Sequence, residues 1–353
     1  MPKLRILIVD DSVIVRRMVN NVLSESDQIE VVGVAPSGHI ALAKIPQVNP
    51  DLIILDVEMP EIDGLETLRR IRQTYKQLPV IMFSAITERG AMATLDALTL
   101  GANDYVTKPA NMGSKEAALE YIRKQLIPKI QVFCGRGGSL PKQSLAPPIT
   151  SEQRKTPTRF LSSKVEILAI GVSTGGPEAL SELLPRFPAN LRVPIVIVQH
   201  MPPVFTTRLA ERLSSQCQIS VHEAKDGDVI KSGEAWIAPG DYHIVLVREG
   251  TQVRIQTTQT PPENSCRPAV DVLFRSVAKL YQGGVLGVVL TGMGQDGLHG
   301  CASIREVEGQ VLVQDEASSV VWGMPGMVAN AGLADKILPL NKLAEEIMGR
   351  INL

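Results

Sequence analysis

The sequence has few cysteines and no apolar run long enough to cross a membrane. Its four cysteines, Cys134, Cys217, Cys266 and Cys301, are far apart and lack the C-x-x-C spacing typical of zinc or redox sites. We therefore expect free thiols rather than a disulfide framework or a metal centre. A membrane-spanning helix needs about 18 apolar residues, and the apolar run Leu4 to Val9 is also too short for a signal peptide. We expect a cytoplasmic protein that is not embedded in a membrane.

An excess of one charge is also missing, because 36 basic residues balance 37 acidic ones. The charges are nevertheless unevenly spread. Residues 1–127 include 14 basic and 16 acidic residues, 128–164 include 7 basic and 1 acidic, and 165–353 include 15 basic and 20 acidic. The acidic carboxyl-terminal part argues against a nucleic-acid partner. A length of 353 residues allows two domains, 1–127 and 165–353. We predict that 128–164, rich in Gly, Pro and Ser, is an exposed basic linker, which could also dock on an acidic partner.

Residues 1–127 alternate short apolar runs with longer amphipathic ones. Five such units predict an α/β fold with a doubly wound parallel sheet and right-handed crossovers. The predicted strands are Leu4–Val9, Glu30–Val34, Leu52–Leu55, Val80–Phe83 and Asp104–Val106.

Polar side chains follow these strands at the points where they end. Asp10, Asp11 and Asp56 follow the first and third strands, Ser84 follows the fourth, and Lys108 follows the fifth. The carboxyl ends of parallel strands share one edge of the sheet, so these side chains should converge. Three carboxylates would repel one another unless a hard cation such as Mg²⁺ lies among them. Each residue taken singly could be a solvated loop residue, but five at matching strand ends predict a site for a phosphoryl group.

Residues 165–353 repeat the order of strand and helix and predict a second doubly wound, mostly parallel α/β sheet with an antiparallel edge. The antiparallel part is expected as a flap of short strands at Glu234–Ala238, Tyr242–Val247 and Gln252–Thr257. Other predicted strands are Ile167–Ile170, Pro194–Gln199, Val285–Leu290 and Gln310–Gln314, and the predicted helices include Ala269–Tyr281, Leu298–Glu308 and Leu340–Ile351.

Three of the predicted strands in this part lead to residues that could form a catalytic triad. Ser173 lies in a G-x-S-x-G turn, His200 ends the next strand, and Asp296 follows a third strand and a glycine-rich turn. They supply a nucleophile, a base and a carboxylate that orients the base. A structural glycine turn or a phosphate cradle would also explain the serine motif, and His200 or Asp296 could instead be polar caps.

Other function classes fit the residues less well. A DNA-binding output would need a recognition helix, and the acidic 165–353 argues against one. A dinucleotide-binding oxidoreductase would need G-x-G-x-x-G and an acid after the second strand, where this sequence has His200. A hydrolase of small esters stays open, because a triad defines acyl transfer without defining the acyl group.

The pattern D-D, D, S, K-P in 1–127 closely resembles the receiver domain of response regulators, which has a flavodoxin-like (βα)₅ fold. The resemblance implies that Asp56 accepts a phosphoryl group from a histidine kinase and that the first-strand aspartates help to hold Mg²⁺. It also implies that Ser84 is the conserved hydroxyl position, that Lys108 senses the phosphoryl group, and that Tyr105 is the aromatic switch residue.

Four motifs in 165–353 closely resemble the chemotaxis protein-glutamate methylesterase (CheB) family. They are G-V-S-T-G-G-P at 171–177, V-Q-H-M-P at 198–202, I-A-P-G-D-Y-H at 237–243 and L-T-G-M-G-Q-D-G at 290–297. The resemblance implies hydrolysis of glutamyl γ-methyl esters on methylated cytoplasmic helices of chemoreceptors, with deamidation of some receptor glutamines. It implies no cofactor for ester hydrolysis.

The same resemblance assigns roles to single residues. Ser173 is the expected nucleophile, His200 the general base and acid, and Asp296 the third member of the triad. The backbone N–H of Met293 matches an oxyanion donor, and we add the N–H of Thr174 as a candidate for a second one. The resemblance further implies that the unphosphorylated receiver covers the catalytic cleft and that phosphorylation relieves this inhibition.

Overall fold

The computed structural model of the protein describes residues 2–110, 113–135 and 164–352. The chain forms two compact units. The first unit holds the described parts of 1–83 and 109–163, and the second holds 84–108 together with the described part of 164–353. The domain limits at 127 and 165 stay predictions, and most of the predicted linker, 136–163, lies outside the described residues.

The amino-terminal part alternates strands and helices, as predicted. Its strands are β1 (Leu4–Val9), β2 (Ile29–Ala35), β3 (Leu52–Asp56), β4 (Val80–Ser84) and β5 (Asp104–Thr107). Its helices are α1 (Val13–Ser24), α2 (Gly38–Val48), α3 (Gly64–Thr74), α4 (Glu88–Thr99) and α5 (Lys115–Phe133). Each helix begins after a side chain that accepts a hydrogen bond from the backbone N–H three residues further on, which stabilises the first turn: Ser12, Ser37, Asp63, Thr87 and Ser114.

These strands form one sheet in the order β2-β1-β3-β4-β5. Strand β1 pairs in parallel with β2 and with β3, and β3 pairs in parallel with β4. The order changes direction between β1 and β3. Ligands of doubly wound sheets bind at the carboxyl ends of the strands that flank such a point. Asp10 directly follows β1, and Asp56 is the last residue of β3.

Helix α5 extends into the segment that the sequence assigned to the linker. It runs to Phe133, so the first residues of the predicted linker are helical, and that part of the prediction was wrong. Pro128 lies inside the helix without ending it. The reason is that Ile122, Leu126 and Ile130 continue one buried stripe across the proline, and their burial outweighs the lost backbone hydrogen bond.

The carboxyl-terminal part has nine strands and six helices among the described residues. Its strands are β6 (Ile167–Val172), β7 (Ile195–Gln199), β8 (Ser220–Glu223), β9 (Glu234–Ile237), β10 (His243–Glu249), β11 (Gln252–Thr258), β12 (Val285–Val289), β13 (Gln310–Gln314) and β14 (Lys336–Leu338). Its helices are α6 (Gly176–Leu183), α7 (Phe205–Gln216), α8 (Val270–Tyr281), α9 (Leu298–Glu306), α10 (Met324–Asn330) and α11 (Leu340–Ile351).

Seven of these strands form a parallel sheet in the order β14-β13-β12-β6-β7-β9-β8. The predicted antiparallel pair is present, and β10 and β11 form it as a two-stranded sheet of their own. The prediction that β9 belongs to the same flap was wrong. Three of its four residues are buried, and β9 pairs in parallel with β7 and β8.

The core of this part surrounds the middle strands. All residues of β6, β7 and β12 are buried, as expected for parallel strands covered by helices on both faces. Burying each Val, Leu or Ile side chain contributes about 1.5–3 kcal/mol. The ends of these three strands therefore form a rigid platform for the residues that follow them. Within the described ranges, none of the helices combines the length and apolar character that a membrane crossing requires.

Candidate active site

The carboxyl ends of β7, β6 and β12 meet where the order of the parallel sheet changes direction. Strands β6 and β7 pair with Val172 opposite Gln199, so the residues that follow, Ser173 and His200, start from neighbouring strand ends. The His200 N–H donates to the Val172 carbonyl at 3.1 Å. Because neighbouring strands are about 4.8 Å apart, the two side chains leave the sheet close together.

The turn that carries Ser173 is fixed to the loop after β12. The Ser173 N–H donates to the Thr291 carbonyl at 3.0 Å, and the Thr291 hydroxyl donates to the Thr174 carbonyl at 2.9 Å. Gly292 must be glycine, because a Cβ there would lie 2.8 Å from the Ser173 Cβ. Gly175 has a φ of 77°, which bends the chain from β6 into α6. The local sequence therefore fixes the position of the serine backbone.

His200 and Asp296 form a direct hydrogen bond. The distance from His200 Nε2 to Asp296 Oδ2 is 2.7 Å, and the two side chains are 12% and 2% exposed. The carboxylate holds Nε2 as the protonated nitrogen, so Nδ1 is the unprotonated nitrogen of the neutral ring. This is the arrangement of base and orienting carboxylate that acyl transfer requires.

Asp296 also accepts hydrogen bonds from four other donors. These are the backbone N–H groups of Val270 (2.7 Å), Asp271 (3.0 Å) and Gly297 (3.0 Å) and the side-chain amide of Asn264 (2.9 Å). Val270 and Asp271 open α8, so the carboxylate caps that helix and lies at the positive end of its dipole. Asp296 is therefore a cap of α8, and not of the helix that follows it in the sequence, and it is a partner of the histidine as well.

The charges of the site oppose the effect of burial. Burial raises the pKa of Asp296, but the His200 hydrogen bond and charge, with the N–H donors, lower it below its usual range. Burial lowers the pKa of His200, whereas the charges and hydrogen bonds of Cys266 and Asp296 raise it to about 10. The partners of His200 thus favour its protonated form.

Two backbone N–H groups near Ser173 are available for an oxyanion. Within 2–110, 113–135 and 164–352, neither the Thr174 N–H nor the Met293 N–H has a hydrogen-bond acceptor. Thr174 directly follows Ser173. Met293 follows Gly292, where an added Cβ would lie 3.1 Å from the Ser173 backbone nitrogen. Unpaired donors beside a nucleophile are the groups that stabilise the negative oxygen of a tetrahedral intermediate.

The three predicted metal-binding aspartates lie together in the first unit. Carboxylate oxygens of Asp10, Asp11 and Asp56 are all within 4.8 Å of one another. Asp10 and Asp56 are buried, while Asp11 is exposed. A set of hard carboxylate oxygens suits Mg²⁺, which prefers oxygen ligands. The residues present therefore fit the cation that the sequence predicted.

The other predicted receiver residues belong to the second unit. The Lys108 N–H donates to the Ser84 carbonyl at 2.7 Å, which joins the ends of β4 and β5. Ser84 is buried, and its hydroxyl donates to the Gly90 carbonyl at 3.2 Å. Tyr105 stacks on Phe205, with ring centres 5.0 Å apart and planes 6° apart.

Comparison with known proteins identifies the family. Residues 168–347 match the family model of the CheB methylesterase, and residues 6–120 match the response regulator receiver domain. The chain belongs to the CheB methylesterase family. It is 86% identical over 351 residues to the protein-glutamate methylesterase/protein-glutamine glutaminase of Trichodesmium erythraeum, covering 99% of this chain and 100% of the relative.

Two further CheB relatives agree with this. The chain is 51% identical over 354 residues to the protein of the same name from Nocardioides sp., covering 99% of this chain and 96% of the relative. The crystal structure of the Thermotoga maritima CheB methylesterase catalytic domain is 41% identical and has a TM-score of 0.52. That match covers 53% of this chain and 99% of the solved domain. The predicted α/β fold and the predicted family are confirmed.

One segment of the receiver match in this CheB chain packs with the serine turn. Residues 84–108 lie in the second compact unit. There, the Thr174 hydroxyl donates to Asp104 Oδ2 at 3.0 Å in a buried contact. Burial raises the pKa of Glu178 to about 7, and the negative charge of Asp104 adds to this. The residue beside the predicted nucleophile is therefore held by a receiver residue.

Sequence reasoning missed the polar network around His200 and Asp296. Asn264 donates to both Asp271 Oδ2 and Asp296 Oδ1 at 2.9 Å, and Cys266 Sγ lies 3.5 Å from His200 Nδ1. The available signal was a short polar run between two prolines, just before the predicted helix at 269–281. Such a run shows that a loop meets a helix start, but it does not show which strand end the loop faces.

Proposed function

We propose that the protein is a phosphorylation-regulated serine esterase that hydrolyses glutamyl γ-methyl esters on chemoreceptor helices to glutamate and methanol. The observation that carries this proposal is the buried His200–Asp296 pair beside Ser173, at the ends of the three middle strands. The names of the relatives also support deamidation of receptor glutamines as a second reaction. A cytoplasmic location stays a prediction from the sequence.

The reaction begins with attack by Ser173 on the ester carbonyl carbon. His200 Nδ1 takes the hydroxyl proton, and the Asp296 carboxylate keeps the other proton on Nε2. The intermediate collapses when the methoxy group leaves with the proton from Nδ1 as methanol, which leaves a glutamyl ester on Ser173. Water then attacks that ester, gives its proton to Nδ1, and the serine leaves with the proton.

The two unpaired backbone N–H groups would stabilise the charged intermediates in both steps, the formation and the hydrolysis of the glutamyl ester on Ser173. The carbonyl oxygen becomes negative when serine or water attacks. Donors from Thr174 and Met293 would hold that oxygen without reorganisation, which is worth about 3–4 kcal/mol for one donor in such sites. A glutamine side chain would follow the same route, with ammonia as the leaving group.

Regulation begins at Asp56, which we propose accepts a phosphoryl group from a histidine kinase. Asp10, Asp11 and Asp56 would hold Mg²⁺, which offsets the charge on the phosphoryl oxygens. Without a cation, the three carboxylates would repel an anionic phosphodonor.

Residues 84–108 would transmit the effect of phosphorylation at Asp56 to the serine turn. The Thr174–Asp104 hydrogen bond ties this segment to the residue beside Ser173. We propose that the segment restrains the serine turn at rest and that phosphorylation at Asp56 shifts it, which frees Thr174. The predicted role of Lys108 and Ser84 is to respond to the phosphoryl group.

The test of the proposed chemistry is release of labelled methanol from a methylated receptor fragment. Ser173→Ala should lower the rate by several orders of magnitude, because no other hydroxyl replaces the nucleophile. Ser232→Ala, at an exposed serine away from the strand ends, is the matched control and should keep the wild-type rate. Activity of Ser173→Ala within about tenfold of wild type would reject the assignment.

The regulatory part needs the same assay with a small phosphodonor such as acetyl phosphate. The wild-type chain should respond only when Mg²⁺ is added. Asp56→Asn should keep the basal rate and lose the response, because the amide cannot accept the phosphoryl group. A normal response of Asp56→Asn would place the phosphorylated residue elsewhere.

A further inference from the structure

Cys266 lies against the nitrogen of His200 that the proposed mechanism uses. Its sulfur is 3.5 Å from Nδ1, and the opposite nitrogen, Nε2, is held by Asp296. The sulfur and the carboxylate thus contact the two nitrogens of the ring, one each. The mechanism above gives this thiol no role, although it touches the atom that receives the serine proton.

The loop that carries Cys266 is held to the site by its own backbone and by Asn264. The N–H and carbonyl groups of Glu263 and Cys266 pair with each other at 3.1 and 2.9 Å. Between them, the Asn264 amide reaches Asp271 and Asp296, each at 2.9 Å. The loop is therefore fixed to the same carboxylate that holds the histidine.

Two ion pairs anchor the loop at either side of the thiol. Glu263 accepts from both terminal nitrogens of Arg275, at 2.7 and 2.6 Å. Arg267, the residue after Cys266, donates to Asp241 at 3.0 and 2.6 Å. A thiol fixed in this way has little freedom to leave Nδ1.

We propose that Cys266 is a positioning residue for His200, whose sulfur holds the imidazole against Asp296 and accepts the N–H that forms at Nδ1 when the ring is protonated. This inference rests on the proposed roles of the triad. The sulfur touches the base and no reacting atom of the substrate. Its effect is therefore on the orientation and basicity of the histidine.

The charges around the ring set the direction of the effect. Asp296 at Nε2 and Cys266 at Nδ1 both raise the pKa of His200, through their charges and through the hydrogen bonds at the two nitrogens. Asp271 lies behind Asp296, and burial raises its pKa. Glu263 and Arg275, which join the loop to α8, are paired with each other at 2.6 Å. Removing the sulfur should therefore make His200 a weaker base.

The experiment compares Cys266→Ala and Cys266→Ser with the wild-type chain in the methanol assay, across pH. Cys266→Ala should lower kcat about five- to tenfold with KM within about twofold, which is the scale of one hydrogen bond. The acid limb of its kcat/KM profile should move to lower pH. Cys266→Ser keeps a hydrogen-bonding atom and should recover most of the loss. Cys217→Ala, at the far end of α7, is the matched control and should match wild type.

A thiol reagent provides a measurement that does not depend on folding of a variant. Methyl methanethiosulfonate converts a thiol to a methyl disulfide, which places a methyl group at Nδ1 when Cys266 reacts. It should inhibit wild type and Cys217→Ala, spare Cys266→Ser, and be reversed by dithiothreitol.

The proposal fails if Cys266→Ala keeps kcat within twofold of wild type and an unmoved acid limb, or if Cys217→Ala loses as much activity as Cys266→Ala. Wild-type activity of Ser173→Ala in the same assay would reject the triad itself.

Discussion

Replacing Asp296 by asparagine separates the chemical role of this side chain from its role as a helix cap. The amide is nearly the same size, so its oxygen can still accept from the N–H of Val270 or Asp271. Its NH₂ group cannot accept from His200 Nε2–H and would donate to that nitrogen instead. The ring proton then lies on Nδ1, the nitrogen that the proposed mechanism requires to be unprotonated.

The expected loss has two parts. The 2.7 Å hydrogen bond to the nearly buried carboxylate is charge-assisted, and losing it costs about 1.5–3 kcal/mol, or roughly 10- to 150-fold in rate. The wrong tautomer adds to this, and the same substitution in serine hydrolases lowers turnover about 10⁴-fold in total. We expect a fall in kcat of about 10³- to 10⁴-fold, with a smaller change in KM. Unsatisfied N–H donors should also cost about 1–3 kcal/mol of stability.

The assay is methanol release at saturating substrate, with thermal unfolding measured in parallel. Asp335→Asn is the matched control, because Asp335 also accepts a backbone N–H, from Val311 at 2.7 Å, and an Arg305 bond at 2.6 Å. It should lose stability and keep turnover. Turnover of folded Asp296→Asn within tenfold of wild type would mean that Asp296 only caps α8 and that another group orients His200.

Three further predictions concern pH and the receiver segment. The kcat/KM profile should have its acid limb above pH 6.5, because the partners of His200 raise its pKa and the base acts only when neutral; a limb below 6.5 would contradict this. Glu178→Gln should raise Tm more at pH 8 than at pH 5. Because burial raises the pKa of the Glu178 carboxyl, the wild type loses stability as the pH rises from 4.5 to about 7. Equal shifts of Tm at both pH values would refute this prediction. Asp104→Ala should raise basal methanol release about fivefold without phosphodonor, because it removes the buried bond to Thr174, whereas an unchanged rate would show that the bond does not restrain the site.

The strands of the amino-terminal part could be predicted to within one residue at each end. Runs such as Leu4–Val9 are short, apolar and bounded by polar residues, so periodicity alone defines them. The residues at the strand ends could also be named from the sequence, because a parallel sheet brings its carboxyl ends to one edge. That reasoning is why the aspartates of the first unit, and the pair His200 and Asp296, were expected near one another.

The contacts made by the loop at 263–268 could not be predicted. Cys266 is 66 residues from His200 in the sequence, and only the packing of α8 against the sheet brings the loop to the strand ends. Strand β9 was assigned to the wrong sheet for a similar reason. Its four residues, Glu234–Ile237, have no pattern that distinguishes a short parallel strand from part of a hairpin.

The central claim, catalysis through an acyl intermediate on Ser173, can be tested by rapid quench of the wild-type chain with methylated receptor fragment, followed by mass spectrometry of its peptides. The peptide that contains Ser173 should transiently carry the glutamyl group of the substrate, and this adduct should decay as glutamate is released. In Ser173→Ala the adduct should be absent. Rapid methanol release without any adduct on Ser173, or with the adduct on Cys266 instead, would contradict the account.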